Sequence, residues 1–169
     1  TYSVSAASGT ILTNAEKTIF NAELKALNDE ITPLVKKLTA NTLTSSDKAA
    51  VDALRTKVDA FVKSYTLEND SNARIAALEA LVTYDSKALS ELEEKVTDLV
   101  IDDLVKAIAA LDVNNVDKEA VAAAKAAYNA LSEEDKLAFR NANSAAYDKL
   151  IALEKIANEA NKFTDADAK

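Results

Sequence analysis

The chain has no cysteine, no histidine, no methionine and no tryptophan among its 169 residues, and only one glycine and one proline. Without Cys there is no disulfide framework, no thiolate zinc site and no cysteine nucleophile. Without His, the commonest metal ligand and the commonest general base near neutral pH are missing as well. The lack of Cys leaves the compartment open, since reducing and oxidising environments both tolerate it. The two helix breakers are nearly absent and the apolar share of 49% is mostly Ala, Leu, Val and Ile. Such a mix favours helix nearly everywhere, because Ala and straight-chain residues lose little entropy there. No run of about 18 apolar residues exists, so no membrane span is expected. Basic residues number 20 against 28 acidic, a net charge of −8. Phosphate recognition needs a basic face that releases counterions, so no nucleic-acid partner is expected, and charge scattered in this way serves solubility.

What the chain does contain is an internal repeat at a spacing of 70 residues. Ile31, Leu34, Val35, Lys36, Ala40, Asp47, Lys48, Ala50, Val51, Ala53, Ala60 and Leu67 recur unchanged as Ile101, Leu104, Val105, Lys106, Ala110, Asp117, Lys118, Ala120, Val121, Ala123, Ala130 and Leu137. These are 12 identities over 37 ungapped positions, where composition alone gives on the order of three, so the chain reads as a tandem array.

Along the chain, residues 1–12 alternate polar and apolar and hold the only glycine, Gly9. They read as a short extended segment, a linker or the tail of a preceding domain. The start without Met fits a mature or excised segment of something longer. Thr13-x-x-Glu16 forms a capping box and opens the first helix. Ile19, Leu27, Ile31, Leu34 and Leu38 then keep one apolar stripe, with a kink or restart expected around Thr32 because Pro33 lacks an amide donor. After a polar loop at 41–46, Asp47 opens a second run with Val51, Leu54, Val58, Phe61 and Tyr65 on one face. Residues 68–72 break it. A long third run carries Ile75, Leu78, Val82, Leu89, Leu92, Val96 and Leu99, continuous past Tyr84-Asp85-Ser86 and shifting face at Val100-Ile101.

The second copy repeats the plan with Leu104, Ile108 and Leu111, a loop at 112–116, then Val121, Ala124, Tyr128 and Leu131. Ser132-x-x-Asp135 caps a last run through Leu137, Tyr147, Leu150, Leu153 and Ile156, with a possible break at Asn141-Ala142-Asn143. The expected fold is all-α: elongated tandem three-helix bundles with a short extended N-terminal segment. The divisions are 1–12 (linker or preceding tail), 13–99 (N-terminal helical unit), 100–161 (C-terminal helical unit) and 162–169 (frayed tail or linker).

Carboxylates are the only candidate catalytic groups, clustered at Glu91, Glu93 and Glu94, at Asp102 and Asp103, and at Glu133, Glu134 and Asp135. Glycoside hydrolysis needs two carboxyls facing each other across a cleft, whereas consecutive helical residues diverge by about 100° and fan into solvent. No catalytic residue and no enzyme is expected. Asp112-x-Asn114-x-x-Asp117 with Glu119 has the oxygens of a calcium loop, but it lacks the glycine and the closing bidentate Glu of an EF-hand. A loop followed by a helix cap explains it better, so no metal or cofactor residue is assigned, with calcium kept as a possible assembly ion. Phe20, Phe61, Tyr65, Tyr84, Tyr128, Phe139 and Tyr147 sit mostly at core spacing. The heptad-like stripe of the third run could dock a partner helix, but the neighbouring segments compete for it at high effective concentration.

Ala127-Tyr128-Asn129-Ala130-Leu131-Ser132-Glu133-Glu134-Asp135-Lys136, preceded by Asp117-Lys118-Glu119-Ala120-Val121 and followed by Leu150, resembles the helical repeats of Gram-positive surface-layer and cell-wall-associated surface proteins. The match covers about residues 100–160 and reaches 31–98 only through the internal repeat, since the first copy reads Val58-Asp59-Ala60-Phe61-Val62-Lys63 at the motif. The resemblance implies a secreted, structural protein at the cell wall or surface layer, whose helical units link, space or anchor other domains. Its implied partners are other domains or copies of the same surface protein, and cell-wall polymer for an adhesin-like or polymer-binding alternative. No binding residue of the family falls on a matched position.

Overall fold

Six α-helices and one 3-10 turn, with no strand among the described residues, make the chain all-α. The computed structural model describes the backbone of residues 14–65 and 72–166, and the side chains of 18–61, 63 and 87–159 other than Phe20. The extended segment expected at 1–12, the Thr13 capping box, and the side chains of Tyr65, Ile75, Leu78, Val82 and Tyr84 lie outside the described residues. The helices are α1 (Asn14–Thr39), α2 (Lys48–Tyr65), α3 (Asn72–Ala110), α4 (Lys118–Asn129), α5 (Glu133–Ala142) and α6 (Ser144–Ala166), with the 3-10 turn at Ser45–Asp47. Two compact units divide the chain, Thr1–Asp98 and Leu99–Lys169.

In the first unit, α1 packs on α2. Ile31 and Leu34 of α1 and Val51, Leu54, Val58 and Phe61 of α2 are buried, at the three- and four-residue spacings that keep one helical face inward. Pro33 does not restart α1, which is continuous from Asn14 to Thr39. An interior proline costs on the order of 3 kcal/mol, and the buried side chains on either side of it, Ile31 and Leu34, hold the helix in place. The Thr32 hydroxyl donates to the Asn28 carbonyl at 2.6 Å. α1 ends in a Schellman turn: Thr42 N–H donates to Lys37 O at 2.9 Å, Asn41 N–H donates to Leu38 O at 3.1 Å, and Asn41 takes φ 54°. Asn is the residue other than Gly that tolerates this left-handed position. The turn drops Leu43 into the core, a buried residue inside the stretch read as a polar loop.

α3 is one unbroken helix across Tyr84-Asp85-Ser86. Leu89, Leu92, Val96, Leu104 and Ile108 are buried and Val100 is half-buried. From Leu92 onward the spacing is four throughout, so the buried face turns around the helix by ~40° at each step, gradually rather than at a single point.

In the second unit, α4 and α5 each pack on α6. Leu104 and Ile108 of α3, Ala124 and Tyr128 of α4, Phe139 of α5, and Leu150 of α6 share one core with Leu131. Tyr128 meets Phe139 edge-on, with ring centroids 5.6 Å apart, and Tyr147 at 5.3 Å. The last run divides at Asn143, whose φ of −128° and ψ of 42° end α5. That break resets the helical phase. Leu137, expected in the core, is 53% exposed because Phe139 takes the inward position of α5. Ile156 is exposed because the inward stripe of α6 runs Leu150, Leu153, Ala157. α6 continues through Ala166, into the stretch read as a frayed tail, with no Gly or Pro there to stop it.

Burial follows the repeat. Leu34 and Leu104, Val51 and Val121, Leu54 and Ala124, Val58 and Tyr128, and Phe61 and Leu131 are buried pairs 70 residues apart. The register then changes: Leu89, Leu92 and Val96 correspond to Leu150, Leu153 and Ala157, which lie 61 positions on. From Leu131 to Leu150 the second copy therefore runs nine residues fewer than the first does from Phe61 to Leu89, and it places α5 within that stretch.

Candidate functional surface

The acidic clusters do not converge. Glu93 is tied to Arg55 of α2 by two parallel bonds, Nε to Oε1 and Nη2 to Oε2, both 2.7 Å, while Glu91 and Glu94 on the same turn of α3 are exposed. Asp102 and Asp103 are exposed. Glu133 pairs with Lys136 at 2.7 Å, and Asp135 accepts the Ser132 hydroxyl at 2.7 Å. Each of these carboxylates leaves the helix in its own direction, as expected for near-neighbours on a helix. Ser132 also accepts the Asp135 N–H at 3.0 Å and so caps α5 as its sequence spacing predicts.

Two carboxylates of the calcium-like loop, Asp112 and Asp117, are engaged with the backbone. Asp112 Oδ1 accepts Asn114 N–H at 2.8 Å in an Asx turn. Asp117 Oδ1 accepts the N–H groups of Glu119 and Ala120 at 3.0 and 3.1 Å, which is the N-cap of α4. Among the described residues, no three acidic side chains gather closely enough to hold a metal ion. No described helix is long and apolar enough to cross a membrane.

Four cross-element ion pairs among the described residues were not legible as pairs in the sequence; one of them, Lys57 to Glu30 at 2.7 Å, joins α2 and α1 at the surface. Arg55 to Glu93 joins α2 and α3, and Lys125 to Glu154 joins α4 and α6 at 2.7 Å. Both are about two-thirds covered by their surroundings. Their members occupy matching places: Arg55 and Lys125 are 70 apart, while Glu93 and Glu154 follow the 61-residue register of the third segment. The Glu93 carboxylate raises the Arg55 guanidinium above its ordinary value, chiefly through the hydrogen bonds. A double-mutant cycle on Arg55→Ala and Glu93→Ala, read by urea unfolding, is expected to give a coupling of about 0.5–1 kcal/mol, the range for partly exposed bidentate pairs. A coupling of zero would show the pair to be decoration.

The pair between Lys37 and Asp47 has no counterpart in the second copy. Asp47 is 9% exposed at the start of α2 and bonds Lys37 of α1, the Thr44 N–H at 3.0 Å and the Thr44 hydroxyl at 3.2 Å. In the second copy Asp117 is exposed, and the position matching Lys37 is Ala107. The Lys37 ammonium, then the Thr44 amide, hold the Asp47 carboxyl below its ordinary value of 3.8, outweighing the opposing effect of burial. A carboxyl lowered on folding stabilises the native state fully above its unfolded value and loses that contribution as pH falls through the folded one. The stability difference between the parent and Asp47→Asn is therefore expected to be constant from neutral pH down to about 5 and to shrink below it. Urea unfolding across a pH series reads this directly, and a difference that grows in acid would reverse the assignment.

A groove of about 500 Å³ lies between α4 and α6. Val121, Ala122, Ala126 and Ala157 give it an apolar floor, and Lys118, Glu119, Lys125, Glu154 and the amides of Asn129 and Asn158 line the rest. The Lys125–Glu154 bond ties its two walls together. An apolar strip edged by amides and both signs of charge can accommodate an extended, hydroxyl-rich or amide-rich chain. The chain matches no known protein family, no curated protein and no solved structure.

Proposed function

We propose that the chain is a non-enzymatic helical spacer and assembly module of a bacterial surface-layer or cell-wall protein, built as two tandem three-helix units. The observation that supports this most directly is the doubled plan: the same buried positions and the same cross-helix ion pair appear twice. A sequence that specifies one helical scaffold twice is suited to spanning and presenting surface. The resemblance of residues 127–136 to surface-protein helical repeats supplies the location, secreted and at the cell surface, and the partners, other domains or copies of the same protein.

A second reading is a wall-polymer-binding or adhesin-like module, favoured by the α4–α6 groove, whose lining includes the amides of Asn129 and Asn158. Titration of the purified chain with isolated wall polymer and with intact Gram-positive cells separates the two. The spacer reading expects no saturable binding and no release of sugars or peptides from peptidoglycan. Saturable binding abolished by Asn158→Leu in the groove would establish the second reading instead.

A further inference from the structure

Within the second unit, α5 is joined to its surroundings by less than the other helices are. Its ten residues include one buried side chain, Phe139, and Leu137 on the same helix is exposed. The polar bonds of its side chains close within α5 and its cap, Asp135 with Ser132 and Lys136 with Glu133. Its neighbours are tied across the unit. Lys125 bonds Glu154 between α4 and α6, and the Lys149 ammonium of α6 donates to the Ala109 carbonyl near the end of α3 at 3.0 Å.

A helix of this length does not persist in water by itself, because closing its first turn is costly and few further bonds follow. α5 therefore depends on the Phe139 ring. Both of its ends are breaks: Ser132 before it is extended, with ψ 161°, and Asn143 after it leaves the helical region. The hydrogen bonds of α5 can thus be lost without unwinding α4 or α6. Nor do the longer helices need the ring to stay together. Val121, Leu153 and Ala157 form a separate cluster that joins α4 to α6, while Leu104 and Ile108 of α3 share their cluster with Tyr128 and Leu150 as well as with Phe139.

We infer that α5 is a strap, which unlatches in one piece when the Phe139 ring leaves its socket, while α3, α4 and α6 stay folded. Ser132 and Asn143 are its two hinges. The open state bares the walls of the socket, Tyr128, Leu131 and Leu150 among them, so the second unit carries an apolar surface that it shows only part of the time. This goes beyond the spacer reading and is indifferent to where the protein resides.

Native-state amide hydrogen exchange on the intact chain tests the strap. Residues 137–142 are expected to be protected at least about tenfold less than residues 124–128 and 150–157. Low concentrations of urea distinguish the routes, because a local opening exposes little surface and responds weakly to denaturant, whereas unfolding of the whole unit responds steeply. A nearly flat dependence at 137–142 beside a steep one at 124–128 is the expected result. Equal protection, or equal slopes, would overturn the inference. A second measurement uses the lack of cysteine: Leu150→Cys and Leu153→Cys each carry a lone thiol. Both leucines are fully buried on α6, but only Leu150 lies in the cluster of the ring. A thiol reagent without denaturant is expected to modify the first variant at least about tenfold faster, and equal rates would also overturn the strap. None of these results bears on the polymer-binding titration, so the two readings fail separately.

Discussion

Replacing Phe139 by alanine is expected to destabilise the second unit by about 3–5 kcal/mol, the range for truncating a buried aromatic ring. Phe139 is fully buried and is the largest such side chain among the described residues. Its ring edge meets Tyr128, so truncation forfeits both apolar burial and an aromatic contact. The cavity cannot close easily, because Leu104 and Ile108 of α3, Leu131 after α4 and Leu150 of α6 come from separate parts of the chain that would all have to move. Typical domains hold only about 5–15 kcal/mol in total, so such a loss leaves a large unfolded fraction at modest denaturant. Leu137→Ala on the same helix is the matched control: at 53% exposure it should stay within about 0.5 kcal/mol. With no tryptophan in the chain, near-ultraviolet circular dichroism of the tyrosines reports the transition, and equal losses for the two variants would refute this core.

In the first unit the corresponding effect falls on α3. Leu92→Ala is expected to cost about 2–5 kcal/mol. Leu92 is fully covered between Leu89 and Val96 on the inward stripe. Alanine is the better helix former, so the loss would come from packing and not from helix propensity. The neighbouring Glu93 should keep its bond to Arg55, which makes the measured value a packing energy with little electrostatic admixture. Glu94→Ala, on the exposed side of the same turn, should change stability by no more than about 0.5 kcal/mol. Urea midpoints of the three chains test this, and an unperturbed midpoint for Leu92→Ala would mean that the stripe is not a core.

The helical character and most of the inward faces could be read from residues alone, because Val51, Leu54, Val58, Leu89, Leu92 and Val96 sit at helical spacing with few breakers between them. The Asp117 and Ser132 caps were legible for the same reason: a short polar side chain just ahead of an amphipathic run has one good use. Other features depend on tertiary context. Leu137 and Ile156 fit a helical period but lose the inward place to Phe139 and Ala157 once Asn143 interrupts the run. Pro33 breaks a helix in isolation and is absorbed here by the packing around it. Leu43 and Asp47 are buried by a turn whose geometry depends on Asn41 adopting a left-handed backbone. The third segments escaped the ungapped repeat because the second copy has nine fewer residues between Leu131 and Leu150 than the first has between Phe61 and Leu89, which moves them out of step.

The substitution of Lys125 for Arg55 at one place in the repeat gives the two copies different behaviour toward dissolved salt. A guanidinium fork holds its carboxylate through two directed bonds, whereas an ammonium is a compact, strongly hydrated charge joined here through one. Mobile ions therefore compete more effectively for the lysine contact, so in brine the α4–α6 clasp would loosen before the α2–α3 clasp does.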